Sequence, residues 1–173
     1  AYIENDAWYE ETAKQIVRLY FLPVEEGGLV RQLKSGGLAF DEFATATPTV
    51  PLFGNLYSLI GLAEYAAYFE DPDVRTILRG GLRGLKELLP KYDTGKWVLF
   101  DLHPCRRCAS ANEIRKRCAL LELLSTRSED SEYAAYAQKW RGYLETFANK
   151  RYYFFQRLWE PIRLRFLAKK LGI

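Results

Sequence analysis

GNLYSLIGLAEYAAYF, residues 54–69, is the stretch that predicts the central helix of this chain. Its apolar residues recur at spacings of four and three, the period of one buried helix face: Leu56, Ile60, Ala63 and Ala67. The preceding segment, DEFATATPTVPL (residues 41–52), is polar and carries Asp41 and Glu42. A carboxylate-bearing loop that leads onto a packed helix is one way of presenting reactive groups to a cleft, although structural loops often look the same.

On the N-terminal side, residues 6–21 predict a helix that ends before Pro23. Its predicted inner face consists of Trp8, Ile16, Val17 and Tyr20. The runs LVRQL and LAFDEF flank the glycine turn KSGG, which predicts a small β-hairpin over residues 29–43.

On the C-terminal side, Asp71 followed by Pro72 is a strong helix start, and Pro90 is expected to end that helix. Its inner face is predicted to be Val74, Leu78, Leu82, Leu85 and Leu89. Three glycines within it, Gly80, Gly81 and Gly84, indicate that another helix packs very close.

The remaining chain predicts a short strand over residues 97–102, a helix over 111–126 and a further helix after residue 130. The inner faces of these two helices are expected to be Ile114, Cys118, Leu121 and Leu124, then Tyr133, Ala137, Trp140, Leu144 and Phe147. Paired antiparallel helices with a hairpin and one or two short strands indicate a mainly α fold, arranged as a helical toroid.

The length of 173 residues fits one domain with a substantial core. No apolar run approaches the roughly 20 residues that cross a bilayer. Three cysteines are an odd number, which argues against a disulfide-stapled secreted scaffold. Because the sequence holds no methionine, we expect Ala1 to be an internal position or a processed end.

Charge is unevenly distributed. Residues 150–173 hold seven Lys or Arg against one acidic residue, whereas residues 1–149 hold 18 basic and 21 acidic residues. We therefore divide the chain into a domain over residues 1–149 and a basic, aromatic extension over 150–173.

The extension, RYYFFQRLWEPIRLRFLAKKLGI from residue 151 onward, mixes aromatic and aliphatic side chains with cations, and Pro161 predicts a break in any helix. It has the character of a segment that docks on a protein partner, lies at a membrane surface, or folds back over the domain. We favour protein contact and expect no nucleic acid, since no recognised binding module accompanies it.

Three stretches together resemble the C-terminal domain of D-glucuronyl C5-epimerases, which invert C5 of glucuronate within a polysaccharide. They are FLPVEEGGLVRQLKSGGLAFDEFATATP (21–48), GNLYSLIGL (54–62), and LPKYDTGKWVLFDL (89–102) followed by LELLSTRSEDSEYAAYAQKWRGYL (121–144). The resemblance covers residues 15–147 and implies an incomplete (α/α) toroid, a glucuronate-containing polysaccharide as partner, and no cofactor. It leaves the compartment open.

The resemblance also assigns positions. Glu42 matches the family's glutamate, whereas Phe43, Phe100 and Glu113 stand at tyrosine positions. His103 stands where an arginine is expected, and Phe53 where an asparagine is expected. Phenylalanine keeps the packing of a tyrosine ring but loses the hydroxyl that transfers a proton.

Two functions follow from this pattern. A non-catalytic descendant would bind an anionic glycan or serve as a subunit of a larger assembly. An active epimerase would need a base and an acid on opposite ring faces and a clamp for the carboxylate. The candidates for these roles are Glu42 as base; Tyr57, Tyr92 or His103 as acid; and Arg106, Arg107 and Asp101 in substrate binding.

One competing motif is His103-Pro-Cys105-Arg-Arg-Cys108, with Cys118 ten residues further on. These four residues form an incomplete version of a tetrahedral zinc ligand set, because a second Cys-x-x-Cys pair is absent. Cys118 lies on a predicted apolar helix face, where a cysteine usually acts as a small hydrophobic residue. We therefore expect no metal site.

Overall fold

A computed structural model describes residues 7–42 and 49–171. These residues form six α-helices, two short 3-10 helices and one two-stranded antiparallel sheet. The helices are α1 (Ala7–Val17), α2 (Leu52–Phe69), α3 (Pro72–Tyr92), α4 (Ala111–Ser128), α5 (Ser131–Glu145) and α6 (Phe147–Leu171). The strands are β1 (Val30–Gln32) and β2 (Leu38–Phe40), and the 3-10 helices span Arg18–Phe21 and Val24–Glu26. The prediction of a mainly α protein with a hairpin is confirmed.

The central helix α2 packs against α3, α4 and β2, while α5 packs against α4 and α6. Its buried residues are Leu52, Asn55, Leu56, Leu59, Ile60, Leu62 and Ala66. The predicted face was therefore partly wrong, because Ala67 is exposed and Ala63 only half-buried. Contacts on three sides bury more of α2 than a single stripe would.

The hairpin confirms the prediction, with Val30 opposite Phe40 and Gln32 opposite Leu38. It lies directly on α3. A Cβ added at Gly84 would stand 1.9 Å from the Leu38 carbonyl oxygen, and one at Gly37 would stand 2.7 Å from the Gly84 Cα. The α3 glycines are thus approached mainly by strand β2 and not, as was predicted, by another helix. The exception is Gly81, which Leu59 of α2 also approaches.

Helix ends follow the sequence signals closely. The Asp71 carboxylate accepts from the amides of Asp73 and Val74, and Ser110 caps α4 with a reciprocal capping box from Glu113. Pro90, however, does not end α3, which continues to Tyr92. The predicted inner face of α4 is confirmed, since Ile114, Cys118, Leu121 and Leu124 are all buried.

Several local predictions were wrong. Residues 97–102 form no strand; Val98 and Leu99 make isolated bridges to Asp93 and Cys108. Trp8 and Ile16 are exposed, and so is Phe147, which opens α6 instead of closing α5. Helix α6 also continues through Pro161. A proline removes one helical hydrogen bond but does not always end a helix.

Candidate functional site

An open groove of about 690 Å³ lies between the hairpin end, α2 and α4. It is lined by Tyr20, Leu29, Asp41, Glu42, Phe53, Gly54, Tyr57, Ser58, Glu113 and Lys116. Four residues singled out from the sequence meet here: Glu42, Phe53, Tyr57 and Glu113. Five of the ten lining residues are polar or charged, and three of these five are carboxylates.

Two aromatic rings form the floor of the groove. Phe53 and Tyr57 lie one turn apart on α2, with ring centroids 6.1 Å apart and planes inclined by 21°. Tyr57 is 59% exposed, so its ring and hydroxyl face solvent. Next to them, the Tyr20 hydroxyl donates to Ser58 Oγ over 3.0 Å. The result is a stacked pair of rings whose exposed member, Tyr57, lies beside polar oxygens.

The carboxylates of the groove differ in what they contact. Asp41 is buried and accepts through Oδ2 from Arg31 at 2.6 and 2.8 Å, while its Oδ1 has no hydrogen-bond partner within the described parts of the chain. Glu42 is exposed, and Gly54 lets it approach α2, because a Cβ at position 54 would lie 3.2 Å from Glu42 Cβ. Glu113 accepts from the Ser110 amide at 2.6 Å.

Beneath the groove, Arg117 is fully buried on α4. Its guanidinium donates to the carbonyls of Leu99 (2.7 Å) and Phe100 (2.9 Å) and lies 4.8 Å from the Phe53 ring centroid. Burial lowers the pKa of Arg117 to about 10. All of its described hydrogen bonds go to backbone carbonyls, and its Nε atom is buried without a partner there.

Two cations lie near the Phe100 ring. The guanidinium of Arg107 lies 4.7 Å from the centroid of the Phe100 ring, and that of Arg117 lies 5.4 Å from the same centroid. Arg107 also forms an ion pair with the buried Asp101. Although burial opposes its charge, this pairing raises the pKa of the Arg107 guanidinium.

Like Phe100, Asp101 and Arg107, three further predicted site residues lie away from the groove lining. Tyr92 is fully buried and donates through its hydroxyl to the Val50 carbonyl at 2.5 Å, and burial raises the pKa of that hydroxyl. The Nδ1 atom of His103 lies 2.9 Å from Cys105 Sγ. Arg106 is exposed at a left-handed φ of 51°. Phe43 lies outside the described residues.

The cysteine motif forms no ligand cluster. Cys105, Cys108 and Cys118 are free and buried, and burial raises the pKa of each thiol, that of Cys108 and Cys118 to about 11. Within residues 7–42 and 49–171, no group of three or more His, Cys, Asp or Glu side chains is arranged to hold a metal ion.

A second, smaller cavity of about 330 Å³ adjoins the groove and shares Glu113 with it. Its other lining residues are Phe100, Arg107, Cys108 and Ser110 from the body, and Tyr153, Arg157 and Glu160 from α6. Helix α6 therefore closes one side of this cavity.

Sequence reasoning missed Asn55, Arg117 and Lys116. Asn55 is buried and bonds through its amide to both backbone groups of Phe40 and to the Pro51 carbonyl, so it fixes the end of β2 on α2. The signal was available: a polar residue sits within the apolar face of each helix, at position 55 next to Leu56 and at position 117 next to Cys118. Buried polar residues of this kind need internal partners.

The family model of the D-glucuronyl C5-epimerase C-terminus matches residues 1–142. An uncharacterized protein of Methanocaldococcus jannaschii is 29% identical over 140 residues, which are 79% of this chain and 45% of that protein. A D-glucuronyl C5-epimerase of Caenorhabditis elegans is 28% identical over 156 residues, 80% of this chain and 25% of that enzyme. The chain thus spans less than half the length of either relative.

Proposed function

Because the chain belongs to the D-glucuronyl C5-epimerase C-terminal family, we propose that it binds a glucuronate-containing glycan in the groove without epimerising it. The carrying observation is the exposed ring of Tyr57, which is stacked on Phe53 in a groove that Lys116 also lines. The apolar face of a sugar ring packs on aromatic rings, and an ammonium attracts a uronate carboxylate.

We expect no turnover because the groove lacks tyrosines at family positions that could donate a proton on the ring face opposite the base. The proton at C5 lies next to a carboxylate and is weakly acidic, so inversion needs proton donors and acceptors on both ring faces. Phe100 and Glu113 stand at tyrosine positions of the family and carry no phenol, and the hydroxyl of Tyr92 is engaged with Val50 in the core. Arg117, which lies against both the Phe53 and the Phe100 rings, is already bonded to two carbonyls.

We also propose that residues 1–149 form an incomplete (α/α) toroid and that residues 150–173 are a separate extension. The packing of α2 against α3 and of α4 against α5 supports paired helices of that type. The end of the family match at residue 142 supports the division. If the protein instead serves as a subunit of a larger assembly, this helical toroid would be the part that is incorporated.

An active epimerase is the second candidate, and one observation favours it. Glu42 and Tyr57 line the same groove, and both are exposed. A carboxylate and a phenol that both contact a bound sugar would serve as base and acid. Arg107, which lines the smaller cavity together with Glu113, would act as the clamp for the substrate carboxylate.

The test combines binding with exchange. We expect calorimetric titration with an oligosaccharide of alternating glucuronate and N-acetylglucosamine to give binding that Lys116→Gln weakens by about tenfold, the loss of one charge-assisted contact. Arg115→Gln is the matched control, because Arg115 is exposed on the same helix and outside the groove. Equal effects of both substitutions, or no binding at all, would refute the glycan site.

The same oligosaccharide, incubated with the protein in D₂O, distinguishes the two functions. We expect NMR to show no deuterium at C5 after prolonged incubation. Deuterium incorporation that Glu42→Gln abolishes would establish the epimerase instead.

A further inference from the structure

Helix α6 presents an unusually apolar outer surface. Seven large hydrophobic side chains along it are between 41% and 71% exposed, and all of them except Leu164 lie on one side of the helix: Phe154, Phe155, Leu158, Trp159, Ile162 and Phe166. Phe154, Leu158, Ile162 and Phe166 follow one another at intervals of four residues, which places them along one side of the helix. We call these six residues the outer face of α6. Contiguous exposed apolar surface of this kind marks a site of interaction.

The opposite side of α6 anchors the helix to the body. Tyr153 stacks on the buried Trp97, with centroids 4.7 Å apart and planes inclined by 20°. Glu160 is buried on this side, and Lys96 lies 5.8 Å from the centroid of the Tyr152 ring. These contacts extend over more than two turns, so the outer face is held away from the body.

The charges around the outer face have one sign. Lys150, Arg151, Arg157, Arg165 and Lys169 are exposed. The single acidic residue between Phe147 and Leu171 is Glu160, which is buried and paired with Arg157 at 2.7 Å. The outer face is therefore bordered by cations, with no exposed carboxylate among the described residues of α6. Its complementary partner is apolar and anionic.

We propose that α6 docks this domain on an anionic lipid surface, with the helix axis in the plane of the membrane. Aromatic and aliphatic side chains between Lys and Arg are the composition of helices that lie in the lipid interface. None of the helices within the described residues could span a bilayer. The proposed contact is independent of whether the groove binds a glycan.

Other occupants fit this surface less well. Pairing the outer face with that of a second copy would bring two rows of cations together without a carboxylate between them, which is repulsive. A polyanionic glycan would neutralise the cations but leave Phe154, Leu158 and Ile162 in water. An anionic bilayer satisfies both, because it offers charge at its surface and hydrocarbon below it.

The experiment is vesicle co-sedimentation of the full chain. We expect at least about tenfold tighter binding to vesicles with about 30 mol% phosphatidylserine than to pure phosphatidylcholine, since each basic residue near such a surface contributes about 1 kcal/mol. Replacing Phe154, Leu158 and Ile162 by Ser should abolish the binding. The matched control replaces three similarly exposed residues elsewhere, Ile16, Leu19 and Phe21, and should bind like the parent.

A charge series and a fluorescence signal complete the test. Arg151→Gln, Arg165→Gln and Lys169→Gln together should remove the preference for anionic lipid, whereas Arg75→Gln, Arg79→Gln and Arg83→Gln on α3 should not. Trp159 emission should shift to the blue on binding, and Trp159→Phe should remove that shift. Circular dichroism checks that each variant is folded.

Three results would overturn the proposal. The first is no binding to vesicles, or equal binding to both compositions. The second is a dimer in lipid-free solution that the triple serine variant converts to a monomer, which would assign the outer face to a second copy. The third is tight binding of a glucuronate polysaccharide to α6 with no shift of Trp159 on vesicles.

Discussion

The open groove and the segment just beneath it contain the same kinds of side chain but offer them very differently. In the groove, Glu42 and Tyr57 face solvent. In the segment from Tyr92 to Arg107, the tyrosine is buried against a carbonyl, and Asp101 is held by Arg107. Residue type therefore says little about availability to a ligand, because existing partners decide it.

Arginine shows the contrast most clearly. Arg115 and Arg117 are two residues apart on α4, yet one is exposed and the other fully buried. A buried cation bonded to backbone carbonyls is part of the scaffold. Substitutions that remove a polar group from each region should therefore affect different properties. Those in the buried segment should lower stability, and those in the groove should weaken binding.

The largest effect is expected for Arg117→Met. The carbonyls of Leu99 and Phe100 would stay buried without their donor, so the free energy of unfolding should fall by about 3 kcal/mol. Urea denaturation measures it. Arg115→Met should change stability by less than about 0.5 kcal/mol. A small loss at position 117 would mean that water replaces the guanidinium and that the segment is not held by Arg117.

A smaller and pH-dependent effect is expected for Asp93→Asn. Burial alone would raise the pKa of Asp93, but bonds from Lys139, Gly95, Tyr143 and Trp140 outweigh it and lower that pKa. The ionised form thus stabilises the fold. The substitution should cost about 1 to 2 kcal/mol at pH 7.

That cost should shrink as the pH falls. The stabilisation is complete above the ordinary Asp pKa of about 4 and is lost as the pH drops through the lowered folded value. Denaturation curves between pH 7 and pH 2.5 would show the parent approaching the variant. A constant difference across this range would contradict the assignment.

Two tyrosine variants compare the regions directly. Tyr92→Phe leaves the Val50 carbonyl unpaired in the core, so we expect a loss of about 1 kcal/mol in the free energy of unfolding and no change in glycan affinity. Tyr57→Phe should leave stability within about 0.5 kcal/mol and weaken glycan binding. The reverse pattern, measured by denaturation and calorimetry, would exchange the roles assigned to the two regions.

The smallest effect on stability is expected for Glu42→Gln, which keeps the size of an exposed side chain next to Gly54. Unfolding should change by less than about 0.5 kcal/mol. A loss above about 1 kcal/mol would show that Glu42 belongs to the scaffold like Asp101.

Much of the fold was predictable because its signals are local. The cap at Asp71, the glycine turn of the hairpin and the apolar period of α4 each depend on a few neighbouring residues, and each was confirmed. Prolines were less reliable. Pro90 and Pro161 both lie within helices, where packing against the rest of the molecule can outweigh one lost hydrogen bond.

The site was harder to predict because its members come from distant parts of the chain. Glu42, Tyr57 and Lys116 share a groove although up to 74 residues separate them in the sequence. Nothing in the local sequence distinguishes the exposed Tyr57 from the buried Tyr92, since both lie in helices with apolar neighbours. Only the tertiary structure shows that a ligand can reach the hydroxyl of Tyr57, whereas the hydroxyl of Tyr92 is bonded to a carbonyl.

Glu113 has two structural roles. Its carboxylate accepts a hydrogen bond from the Ser110 amide, and its side chain lines both the groove and the smaller cavity. A ligand that drew this carboxylate toward itself would uncover the first turn of α4. The Ser110 amide proton is therefore a built-in reporter, whose exchange with solvent should quicken when the groove fills.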